Sequence, residues 1–154
     1  MSTSEVQAQR DSSRRRNEDV LTTMGFRRVA STSIFQNVHG VALLSPGVGQ
    51  SWFDLRQVNL DRLDDSLAGV VLRFSPDGYA VIPMLQLRPH LKTRTVRSTK
   101  GGPTFGFRCR LDRSAGTVHL TASSDHTTTF STRLLNREGV AGAVTSLLSG
   151  SEQV

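Results

Sequence analysis

Eight cations and one acid stand between residues 88 and 113. The cations are Arg88, Lys92, Arg94, Arg97, Lys100, Arg108, Arg110 and Arg113, opposed only by Asp112. Residues 1–85 hold nine basic and nine acidic side chains, so the formal charge of +6 is a local property of that one stretch. Side chains of this type form charge-assisted hydrogen bonds to phosphate oxygens, and a one-sided basic field gathers polyanions. Lys92 to Lys100 brings four cations in nine residues, with Ser98, Thr99 and the N–H groups around Gly101 and Gly102 as neutral donors beside them. Arg108 and Arg110 then alternate with apolar residues and project to one side. This pattern matches the backbone-tracking part of a nucleic-acid site, where phosphate contacts provide affinity without sequence information. A merely solvated cationic face is the competing reading.

A second basic spot, Arg14-Arg15-Arg16, is neutralised locally by Asp11, Glu18 and Asp19. The chain has no zinc-finger spacing, no aromatic box of the RNA-recognition type and no GxxG clamp. Any contact with DNA or RNA is therefore expected through the backbone and not through a recognisable module.

Catalytic chemistry has fewer candidates. Asp54 lies mid-strand between Phe53 and Leu55, a position where aspartate is depleted. A divalent-metal nuclease would need a second acid followed by lysine on the neighbouring strand. Val70 to Phe74 offers Arg73 and neither an acid nor a lysine, so a nuclease-like domain here is expected to be inactive. An ion pair of Asp54 with Arg56, Arg73 or an arginine of the neighbouring strand is the simpler expectation. Asp61, Asp64 and Asp65 lack the glycine and later glutamate of a calcium loop. His39, His90, His119 and His126 form no metal pair, and Asp125-His126 has no nucleophile elbow beside it. Cys109 alternates with Phe105 and Phe107, which makes it a buried small hydrophobe. No catalytic residue, metal ligand or cofactor site is therefore assigned.

The elements that must position these residues follow from periodicity and turn chemistry. Residues 1–16 read as a disordered basic arm. Asn17 caps a short helix that stops at Gly25, and Gly40–Leu44 is a strand. Trp52–Leu55 is a second strand, with Phe53 and Leu55 on one side and Trp52, Asp54 and Arg56 on the other. Val70–Ile82 is a hairpin turned by Ser75-Pro76-Asp77-Gly78. Met84–Leu91 is a short helix or helical turn that confines Pro89 to its first turn or a break. Lys92–Pro103 reads as a mobile basic loop. Phe105–Leu111 is a half-buried strand, and Thr117–Ala122 is its partner. Ser123–Thr129 is a polar loop, Arg133–Leu148 an amphipathic helix and 150–154 a loose tail.

These pieces predict a single α+β domain over residues 17–149, with a mostly antiparallel sheet of about five strands flanked by two or three helices. A lone cysteine excludes an internal disulfide, and no apolar run approaches the roughly 18–20 residues that span a bilayer. A soluble, cytoplasmic setting without a membrane partner is expected. The functional expectation is a small non-catalytic nucleic-acid-associated protein that uses residues 88–113. The alternative is an adaptor domain that docks an acidic protein on the cationic face, with Trp52 as an anchor.

Overall fold

Strand-forming residues recur along nearly the whole chain, and they assemble into two sheets packed face to face. The computed structural model describes residues 4–5, 18–30, 32–46, 48, 52–75, 78–91, 96–99, 102–123 and 127–150. Ten strands occur among them. They are β1 (Arg27–Arg28), β2 (Ile34–Gln36), β3 (Ala42–Leu44), β4 (Trp52–Arg56), β5 (Ala68–Ser75), β6 (Gly78–Pro83), β7 (Val96–Thr99), β8 (Gly102–Asp112), β9 (Thr117–Ala122) and β10 (Thr129–Arg133). The first sheet has the order β1-β2-β3-β5-β6, and the second has β10-β9-β8-β4 with β7 also paired to β8. The helices are α1 (residues 18–23), α2 (Gln57–Leu60), α3 (Met84–Leu87) and α4 (Arg137–Gly150). No helix among the described residues is long and apolar enough to cross a membrane.

The first sheet is the middle layer, and its sequence says so. In β5 the run Val70-Val71-Leu72 is apolar on both sides of the strand, as a sheet covered on both faces requires. Val70 and Leu72 join Phe53, Leu55, Phe105, Phe107, Cys109, Val118 and Leu120 in the core between the sheets. Val71 points the opposite way and packs with Val20 and Leu21 of α1 and Val140 and Val144 of α4. The layers are thus second sheet, first sheet, helices. All strand pairs are antiparallel except β3 with β5. Parallel neighbours need a crossover, and here the crossing segment contributes β4 to the second sheet before returning.

Local chemistry fixes the connections. The backbone N–H of Phe26 donates to Leu21 O at 3.0 Å and that of Gly25 to Thr22 O at 3.0 Å. These two bonds, with Gly25 at φ +90°, make a left-handed C-terminal cap on α1. Asn136 caps α4, its Oδ1 accepting from the Gly139 N–H at 2.8 Å. Tyr79 and Leu135 exchange backbone hydrogen bonds of 2.8 and 2.7 Å, which ties β6 to the segment leading into α4.

The α+β class, the antiparallel bias, the Val70–Ile82 hairpin and the β8–β9 pair stand as the sequence implies. Three readings need correction. The strands form two sheets, because β4 pairs with β8 while β3 and β5 pair with each other, and Arg27–Gln36 adds two short strands whose brevity hides their periodicity. Val96–Thr99, read as part of a mobile loop, is a strand with Val96 opposite Phe105 and Thr99 opposite Gly102. Arg133 ends β10 and does not begin the last helix, which starts at Arg137 and runs through Gly150. Of the expected arm at 1–16, only residues 4 and 5 are described, in a helical turn. Asn17 and residues 151–154 lie outside the described residues.

Candidate nucleic-acid interface

The second sheet buries one face and exposes the other, and alternation along its strands decides which residues do which. In β9 every second residue is buried, and in β4 Phe53 and Leu55 point inward while Arg56 is exposed. In β8, Phe105, Phe107 and Cys109 are buried and Arg108 and Arg110 are exposed. Burial pushes the Cys109 thiol up to about 12, so it packs as a hydrophobe and carries no reactive thiolate.

Strand register arranges the outward residues in rows. Trp52, Arg108, Thr121 and Thr129 stand side by side across β4, β8, β9 and β10. Next come Arg110, His119 and Ser131, then Asp112, Thr117 and Arg133. Ser131 Oγ lies 2.9 Å from His119 Nδ1. The Arg108 guanidinium sits 5.9 Å from the centroid of the Trp52 ring, within cation–π range. Asp112 turns toward its own hairpin. The Ala115 N–H donates to its Oδ1 at 3.1 Å and Ser114 Oγ at 2.9 Å, and these bonds hold the carboxyl below its usual range. Arg110, Arg113 and Arg133 make no ion pair within the described residues.

The structure divides the cations expected to act together. Arg108 and Arg110 share the open sheet face, with Arg113 exposed in the turn beyond. Arg97 lies in β7, with Thr104 between it and Arg56 in register. Lys92, Arg94 and Lys100 lie outside the described residues. Arg88 does different work. Its Nε and Nη2 bind the two Asp65 oxygens at 2.8 and 2.6 Å, and Nη2 also donates to Leu60 O at 3.2 Å. These hydrogen bonds hold the Asp65 carboxyl below its ordinary value and raise the guanidinium further. Arg88 therefore joins the end of α2, the turn at Asp65–Leu67 and the turn after α3.

Asp54 pairs in register with Gly106 of β8, while Arg73 belongs to β5 in the other sheet. The strand imagined as its neighbour is not beside it. No group of three or more His, Cys, Asp and Glu among the described residues is placed to hold a metal ion. His90 stacks on Phe130, with centroids 4.2 Å apart. Sequence reasoning did not include Arg133 and Ser131 in the site because β10 was read partly as loop and partly as helix, and it placed His119 on a strand without the register that sets it beside Arg110. The period-two pattern of Thr-Phe-Ser-Thr-Arg was the available signal. No family model, curated protein or solved structure matches this chain.

Proposed function

We propose that this chain is a non-catalytic nucleic-acid-binding protein. Phosphate groups are held on the open face of the second sheet and along the basic segment beside it. The observation that carries this reading is the projection of Arg108, Arg110 and Arg133 from one face of a sheet whose opposite face is core. A buried inner face fixes the backbone, so the guanidinium groups start from a preorganised scaffold and lose less freedom on binding. Guanidinium matches phosphate with paired donors, and the threonine and serine hydroxyls in the same rows add neutral ones. Arg97, Arg113, Lys92, Arg94 and Lys100 extend the interface; Arg88, held by both oxygens of Asp65, stands apart from it. A cytoplasmic setting belongs to the same proposal.

The test is fluorescence anisotropy with labelled nucleic acid across a salt series. Neutralising four to six phosphates gives a log–log slope of roughly −4 to −5. The double variant Arg108→Gln/Arg110→Gln is expected to weaken binding and flatten that slope by about two. Failure of the wild-type chain to bind duplex DNA, single-stranded DNA or RNA at about 50 mM salt overturns the proposal.

A further inference from the structure

Trp52 is the sole tryptophan of the chain, and it belongs to neither hydrophobic core. It stands half-buried on the outward side of β4, in register with Arg108, on the face that carries the cations. An indole placed there adds nothing to the packing between the sheets. It does set an aromatic ring among the arginines of that face. We propose that the preferred ligand is an unpaired polynucleotide strand, with one base stacked on Trp52 and the following phosphates on Arg108, Arg110 and Arg133. This rests on the cationic-face reading and narrows it to a substrate class.

Two physical arguments select a single strand over a duplex. The first is width. The strands β10, β9, β8 and β4 lie side by side, and at about 4.8 Å per interval they span roughly 14 Å between outer backbones. The major groove is about 12 Å wide and admits a helix or a two-stranded ribbon, so this face is too broad to enter it. A duplex meets the face only through its phosphate ridges. The second is stacking. Bases of a duplex already stack on each other, whereas an unpaired base offers a free π-face to an aromatic ring. The Arg108 guanidinium lies over the Trp52 ring in the free chain, so an incoming base takes its place on the indole and leaves the displaced guanidinium beside the following phosphate.

The experiment uses the full chain with a labelled oligo(dT), an oligo(U) of equal length and a duplex, read by anisotropy and by Trp52 emission. Quenching of Trp52 on saturation with the single strands is expected, along with weaker duplex binding that leaves the emission unchanged. Trp52→Leu is expected to lower single-strand affinity about 5- to 150-fold, the range of one base–aromatic stack, with the salt slope unaltered. Arg110→Gln should instead weaken all probes and flatten the slope. Comparison of oligo(dT) with oligo(U) identifies the sugar. Equal binding of all probes with no change in Trp52 emission overturns the inference while the cationic-face reading survives. No binding to any probe removes both. Should Trp52→Leu fail to fold by circular dichroism, quenching in the wild-type chain decides alone.

Discussion

Arg88 and Arg110 carry the same guanidinium and are put to opposite uses. Arg110 projects from a strand with no ion pair among the described residues, while Arg88 is held by both oxygens of Asp65 and by the Leu60 carbonyl. The pair is about one-third exposed, 34% and 27% for the two side chains, so water screens it and its contribution is modest. Arg88→Gln is expected to destabilise the fold by about 1 kcal/mol while leaving the nucleic-acid salt slope almost unchanged. The pH dependence has a definite sign. The Asp65 carboxyl is held below its ordinary value in the folded chain, so its contribution is complete above the unfolded value and is lost as pH falls through the folded one. Urea denaturation should therefore give a constant gap between wild type and Arg88→Gln from neutral pH down to about pH 4, narrowing at lower pH. A gap that widened in acid would contradict the assignment.

At the scale of elements, turn chemistry carries more information than strand propensity. Gly25 closes α1 at φ +90°, and a Cβ built there meets nothing within 4 Å. The cost of Gly25→Ala is thus purely conformational, and a loss of about 1–2 kcal/mol in chemical denaturation is expected. A neutral result would mean that the cap is not needed to end the helix. This stop was legible because glycine followed a short apolar helix. The β5–β6 hairpin was legible because Pro and Gly punctuate two β-branched runs. By contrast, β1 is two residues long and β2 is three, too short to show alternation above background. β7 escaped notice for another reason: Val-Arg-Ser-Thr has no alternating apolar face, and its pairing with the start of β8 is set by tertiary contacts. The open face was half visible. Arg108 and Arg110 stood out by alternation, whereas Arg133 depended on a strand that was not recognised.

Across the whole molecule, the second sheet separates stability from the proposed interface. Phe107 is fully buried, stacks on Phe53 with centroids 5.6 Å apart and meets Phe130 edge-on at 5.9 Å. Phe107→Ala is expected to cost about 3–5 kcal/mol, against at most about 0.5 kcal/mol for Arg110→Gln. Thermal and urea denaturation of the two variants side by side measures that difference; comparable losses would mean that the open face also supports the fold.

These opposite demands alternate residue by residue along β8, from Phe105 to Leu111. Substitutions on the cationic side are therefore cheap for folding, and this surface can drift or be re-tuned freely. Length changes are another matter. A one-residue insertion between Gly106 and Phe107 that no bulge absorbed would invert the parity of the residues beyond it, turning Arg108 and Arg110 toward the aromatic interior and Phe107 and Cys109 toward water. The chain can exchange its outward chemistry one side chain at a time, whereas a gain or loss of a single residue in that strand must be taken up by a bulge or it flips a face.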